Sequence, residues 1–149
     1  MINNEMKVRF KAIKENEGFA RLCVASFCAI YNPTIEELGD IKTAISEAVT
    51  NSIVHAYPTM ESGDVEIYVK ISNYGEIYIT VTDFGIGIDN IEEAKQPFFT
   101  SKPDMERSGM GFTVMEGFMD NLTVESQKNV GTKIIMTKKL GDYSIAVGG

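Results

Sequence analysis

This 149-residue sequence predicts an α+β fold, a two-layer sandwich in which a mostly antiparallel sheet carries helices on one face. Three observations point there. Two long helical segments follow one another in the first third of the chain, so the helices come as a pair. The later β-rich runs are joined by Asn73-Tyr74-Gly75 and Asn129-Val130-Gly131, so those strands come as hairpins. The chain shows no internal repeat, linker or low-complexity block, so one sandwich has to account for all of it.

Each element has its own reason. Met6–Ala12 alternates Met, Val, Phe and Ala with Lys, Arg and Lys, the pattern of a half-buried strand. Asn16 is placed to cap a helix that runs to about Tyr31, with Phe19, Leu22, Cys23 and Phe27 among its buried candidates. Asn32-Pro33 ends it. Thr34-Ile-Glu-Glu37 reads as a capping box opening a second helix, Ile35 to about Ala56, which Tyr57-Pro58 and Gly63-Asp64 close. Val65–Ser72 and Glu76–Thr82 form the first hairpin. Asp89–Asp104 reads as a short acidic helical turn and an irregular segment bracketed by Pro97 and Pro103. Ser108-Gly-Met-Gly-Phe112 leads into a helix ending near Asp120, and Leu122–Gln127 with Thr132–Lys139 make the second hairpin. Residues 1–140 are expected to be a single domain, with 141–149 a loose tail.

Composition narrows the function. An apolar fraction of 44% and a charged fraction of 23% are ordinary for a soluble globular chain. A net charge of −7 argues against a dedicated nucleic-acid binder while leaving room for a basic protein partner. Met1–Phe10 holds no apolar signal core, and Phe19–Tyr31 is too short and interrupted to span a bilayer, so a cytoplasmic protein off the membrane is expected. Cys23 and Cys28 fall on different helix faces and read as reduced thiols. One His and two Cys cannot make a common zinc site. No Gly-x-x-x-x-Gly-Lys-Ser/Thr loop is present, and no Gly-x-Gly-x-x-Gly stands near a first βα turn.

The chemistry concentrates in three places. In Ser46–Tyr57, Glu47, Asn51 and His55 recur every fourth residue and drift by only roughly 40° per step, so they share one helix face above an apolar one of Ala48, Val49, Ile53 and Val54. A carboxylate there can take a proton, and an amide oxygen is a hard ligand suited to Mg²⁺. Taken alone the row is better read as the solvated polar face of an amphipathic helix. Asp83-Phe-Gly-Ile-Gly87 follows a strand directly. Its acid can accept from an exocyclic amine, and Gly85 and Gly87 let the backbone approach a flat ligand, although a plain glycine turn reads the same way. Ser108-Gly-Met-Gly-Phe112 opens a helix whose first amides favour an anion.

It is the order of these elements that is specific. An acid–amide helix, strand-Asp-x-Gly-x-Gly, an irregular segment, Gly-x-Gly at a helix start and Gly131-Thr132 before a strand together resemble the GHKL (Bergerat-fold) ATP-binding superfamily. Glu47-Ala-Val-Thr-Asn51, Gln96-Pro-Phe-Phe-Thr-Ser-Lys-Pro103 and Glu106-Arg-Ser-Gly-Met-Gly-Phe-Thr113 are similar to its small serine-kinase anti-sigma factors, over about Lys7 to Lys139. Ser101 departs from that pattern, where a second Thr is expected.

The resemblance implies a Bergerat fold and the following roles. Glu47 would be the general base or orienter, and Asn51 the protein ligand to Mg²⁺. Asp83 would receive the adenine amino group of ATP with Thr132 beside it, above a floor of Gly85 and Gly87. Asp89–Arg107 would be a lid. Ser108, Gly109, Met110, Gly111 and Phe112 would cradle phosphates, with Arg107 meeting the γ-phosphate. His55 would cap the helix end or pack under the site as readily as take part in chemistry. The implied partners are a sigma factor of the sporulation sigma-F type, an anti-anti-sigma factor phosphorylated on serine, and a second copy in a homodimer. Arg21, on the first helix, is the candidate partner contact. The competing readings are a non-catalytic nucleotide-gated binding module and an isolated histidine-kinase-like ATPase domain. With its only His inside the site, no phospho-accepting helical hairpin is expected ahead of it in these 149 residues, and transfer to another protein is the expectation.

Overall fold

The computed structural model describes residues 2–57, 63–88 and 111–141. In chain order they form β1 (Ile2–Lys11), α1 (Asn16–Ala29), α2 (Ile35–Asn51) continued by a π turn (Ser52–Ala56), β2 (Asp64–Ser72), β3 (Glu76–Asp83), α3 (Gly111–Phe118), β4 (Asn121–Gln127) and β5 (Gly131–Lys139). The strands make one sheet in the order β1-β2-β3-β5-β4, antiparallel at every pairing. Its register sets a row of aliphatics across all five strands, Val8, Ile67, Val81, Ile134 and Val124. Alternation turns these toward the helices while Glu66, Thr82 and Lys133 face away.

α2 is the central helix, flanked by α1 and α3. It buries Ile41, Ala44, Ile45, Ala48 and Val49, a stripe at 3–4-residue spacing that meets the inward face of the sheet. The capping box forms as the sequence predicts: Glu37 N donates to Thr34 Oγ1 at 3.0 Å, and Thr34 N to Glu37 Oε1 at 2.8 Å. The other carboxylate oxygen of Glu37 accepts from Gly141 N at 2.9 Å, and Lys138 Nζ lies 3.4 Å from Asp40, so the end of the sheet is tied to the start of α2. Gly141 is therefore held rather than loose; residues 142–149 lie outside the described residues, as does the irregular segment from Asp89 to Met110.

Two expectations for α1 are corrected. Asn16 is the first residue of the helix, not its cap: its side-chain amide donates to Lys11 O at 3.0 Å, and the cap position, Glu15, makes no capping bond. The buried face is Ala20, Val24, Phe27 and Cys28, whereas Phe19 and Leu22 are 51% and 58% exposed and Cys23 is half-buried. The helix is apolar almost all round, so periodicity could not choose the face. The small side chains are the ones that let α1 approach α2 closely. Both cysteines are free, and burial pushes the Cys28 thiol up to about 12.

Candidate functional site

The site is built where the end of α2 meets the turn after β3. At Ser52 the α-helix widens into a π turn, a change that recurs at functional sites because it shifts the side chains that follow. Glu47 and Asn51 keep their α register, one turn apart and both half-buried. His55 falls inside the π turn and so leaves the strict four-residue row. The next residue after Asn51, Ser52, is 3% exposed and donates from Oγ to Asp83 Oδ2 at 3.1 Å.

Asp83 is 6% exposed and fully engaged on one oxygen: Oδ1 accepts from Gly85 N at 3.2 Å and Thr132 N at 3.1 Å. Oδ2 takes the Ser52 hydroxyl and has capacity for another donor. Burial pushes the Asp83 carboxyl above its ordinary value, with the three hydrogen bonds pulling the other way. Thr132 pairs with Asp83 across β3 and β5, and its hydroxyl lies 2.8 Å from Ser126 Oγ. Ser126 also accepts from Ile88 N at 2.7 Å and donates to Gly131 O at 3.1 Å, so it pins the turn to the second hairpin.

The glycines of the turn are required by contact. A Cβ on Gly85 would sit 2.0 Å from Ala56 O, the same oxygen that accepts from Ile86 N at 2.9 Å. Gly87 has φ +78° and would place a Cβ 2.4 Å from Gln127 O. The turn is thus seated on the π turn below and the β4–β5 hairpin beside it. A hollow of about 320 Å³ opens at this end of the sheet. Asp83, Ser126 and Thr132 line it, as do Thr82, Glu125 and Lys133 from strand positions that alternate to the open face.

The structure therefore brings Asp83, Gly85, Gly87 and Thr132 together and joins them through Ser52 to the helix that carries Glu47 and Asn51. Gly111 and Phe112 are buried at the start of α3, which flanks α2. Arg107, Ser108, Gly109 and Met110, with the rest of the Asp89–Arg107 segment, lie outside the described residues. Arg21 is not a plain solvated arginine: its Nη1 meets Glu17 Oε2 at 2.9 Å and Ser46 Oγ at 3.4 Å, and Ser46 Oγ donates to Glu17 at 2.9 Å. It remains 38% exposed. Sequence reasoning missed Ser52, Ser126 and Tyr57. Ser52 was one residue off the face that carried the motif, Ser126 looked like an ordinary strand serine, and Tyr57 read as part of a helix stop.

Asp83 can serve an exocyclic amine, since its Oδ2 keeps acceptor capacity beside Gly85. For a divalent metal the described residues offer no cluster of three or more His, Cys, Asp or Glu side chains. No helix among the described residues is long and apolar enough to cross a membrane.

Comparison with known proteins agrees with this geometry. The family model of the histidine kinase-like ATPase domain matches residues 10–138. An anti-sigma F factor of Clostridium perfringens (strain SM101 / Type A) is 61% identical over 139 residues, 93% of this chain and 99% of that relative. The anti-sigma F factor of Bacillus licheniformis is 50% identical, with 93% and 94% covered. Among solved structures, the RsbU and RsbW domains of Rv1364c from Mycobacterium tuberculosis superpose with a TM-score of 0.67 at 18% identity, over 93% of this chain and 33% of that one. The mycobacterial sensor histidine kinase MprB gives 0.58 at 18% identity, over 91% and 98%. These two share the fold alone, which is the α+β sandwich the sequence predicts. With its matched domain and its near-full-length relatives, the chain belongs to the histidine kinase-like ATPase domain family and, within it, to the anti-sigma F factors.

Proposed function

We propose that the chain is an ATP-dependent serine protein kinase that also binds and inhibits a sigma factor of the sigma-F type, and that its phosphoryl acceptor is an anti-anti-sigma protein. The observation that carries this reading is the bonding of Asp83 through Ser52 to the helix of Glu47 and Asn51, which joins a base-recognition seat to an acid–amide pair on one element. Asp83 accepts the adenine amino group, with Thr132 alongside. Asn51 would hold a Mg²⁺ through its amide oxygen. That ion, when bound, neutralises charge on the phosphates. Glu47 accepts the proton of the acceptor serine as its Oγ bonds to the γ-phosphorus and the bond to the β–γ bridging oxygen breaks, releasing ADP. Arg107 and Ser108–Phe112 are assigned to the phosphates by the resemblance of their motif.

The same reading makes the chain a cytoplasmic homodimer. β1 is an edge strand of ten residues, and beside it α1 and the residue that caps its end present Phe19, Leu22 and Ile30 outward, an apolar face that a second copy can cover by two-fold symmetry. Incubation with γ-labelled Mg·ATP and the anti-anti-sigma protein of a sporulating cell tests the kinase. Acid-stable label on a partner serine is the expected result. Acid-labile label would turn the reading to histidine phosphorylation. No label, with nucleotide still governing sigma-factor binding, would leave only the binding module.

A further inference from the structure

The β2–β3 register ends at Val65↔Asp83, so Asp64 and Phe84 are the next pair in line. They do not bond to each other. The hydroxyl of Tyr57 stands between them, donating to Asp64 O at 2.6 Å and accepting from Phe84 N at 2.7 Å. The phenol thus takes the place of a ladder bond and ends the pairing at the residue where the chain must leave the sheet. Its ring is fixed from the other side, since a Cβ on Gly63 would fall 2.3 Å from it. On the outer face Arg9 closes the same gap: its guanidinium lies 4.8 Å from the Phe84 ring centroid, and its Nε bonds Asp64 Oδ2 at 2.9 Å.

This position matters because of what adjoins it. A peptide unit is planar, so a bond that fixes Phe84 N–H also fixes the carbonyl of Asp83. Gly131 closes on that carbonyl so tightly that a Cβ there would lie 2.1 Å away. From the same short segment, Ser52 holds Asp83 Oδ2 and Ala56 O holds Ile86 N. The turn is therefore gripped at Asp83, Phe84 and Ile86, and Tyr57 supplies the middle grip. Burial pushes the Tyr57 phenol above its ordinary value, against the pull of its bond from Phe84 N.

We propose that Tyr57 is a positioning residue for base recognition: its hydroxyl, inserted between Phe84 and Asp64, sets the heading of the Asp83 carboxylate and so the selectivity for an amino group at purine C6. The inference rests on reading the Asp83 seat as an adenine site. The test is titration of wild type and Tyr57→Phe with ATP and with purine riboside triphosphate, which differs only in lacking the 6-amino group. Wild type should prefer ATP by about tenfold or more. In Tyr57→Phe, ATP should weaken by about 5- to 20-fold while the analogue changes less than about twofold, so the preference collapses. A double variant with Asp83→Asn should lose no further selectivity beyond Asp83→Asn alone, because both act through one carboxylate. Equal weakening of both nucleotides would make Tyr57 a structural residue only and overturn the proposal, as would unchanged ATP affinity. A wild-type protein indifferent to the 6-amino group would remove the adenine reading itself and this inference with it, an outcome distinct from a selective wild type whose Tyr57→Phe variant stays equally selective.

Discussion

Replacing Asp83 with Asn separates what this side chain does for the ligand from what it does for the fold. The amide is isosteric. Its oxygen can keep the two bonds from Gly85 N and Thr132 N, and its NH₂ can donate to Ser52 Oγ, so the internal network survives with one polarity reversed. Toward an adenine amino group, however, a donor now faces a donor. Losing one hydrogen bond to a charged group costs about 1.5–3 kcal/mol, or roughly 10- to 150-fold in nucleotide affinity. The unliganded protein should respond in the opposite sense. Burial raises the folded-state pKa of Asp83 above the unfolded value of about 4, so the stability linked to its protonation is present at low pH and is lost as pH rises through the folded value. At neutral pH the ionised group weakens the empty fold, and Asn does not. Calorimetry should show the affinity loss, while thermal unfolding without nucleotide should show a variant at least as stable as wild type, its advantage growing with pH across that window. Unchanged ATP affinity, or a variant that melts well below wild type at neutral pH, would refute the reasoning.

Other substitutions probe the remaining parts. Glu47→Gln keeps the shape of the side chain but not its basicity, so phosphoryl transfer should fall by roughly 10²–10⁴ with nucleotide affinity held; equal loss of both would make Glu47 structural. Gly85→Ala drives a methyl against Ala56 O, so the turn must lift off the π turn at a cost of about 1–3 kcal/mol, read as a lower denaturation midpoint together with weaker ATP binding. Arg21→Glu sets two carboxylates one turn apart with Glu17, a penalty of only about 0.2–0.5 kcal/mol in the helix. It should weaken both protein partners in a binding titration with ATP present and leave ATP binding intact; wild-type affinity for the sigma factor would remove Arg21 from the interface.

Much of the fold was legible because local signals agreed with it. Thr34 and Glu37 announced the start of α2, Asn73-Tyr74-Gly75 and Asn129-Val130-Gly131 marked both hairpins, and of the expected apolar face Ala48, Val49 and Val54 are buried while Ile53 is half-buried. Where one chain segment satisfied two patterns, sequence reading failed. α1 is apolar on both sides, and only the closeness of α2 decides that Ala20, Val24 and Cys28 go inward while Phe19 and Leu22 stay out. In the site, the residues named from motifs are those whose type carries the chemistry. The residues missed act through contacts between segments far apart in sequence: Ser52 with Asp83, Tyr57 with Phe84 and Asp64, Ser126 with Ile88. Spacing along a chain carries no record of such pairs.

The passage from α-helix to π turn shows how one element carries Glu47 and Asn51 and also reaches the turn after β3. An unbroken α-helix rises about 1.5 Å per residue and returns to the same face every three or four residues, so Asn51 and Ser52 would point about 100° apart with no means of correction downstream. The π turn begins at Ser52, and within six residues the chain delivers a hydroxyl to Asp83, a carbonyl to Ile86 and a phenol to Phe84. Upstream of it, Glu47 and Asn51 remain on rigid helix whose inner face is locked by Ala48 and Val49. Glu47 and Asn51 on one side and the contacts to the Asp83 turn on the other are therefore joined by a continuous stretch of main chain, with the irregularity placed between them. A site assembled this way needs no large rearrangement of α2 to align its two ends.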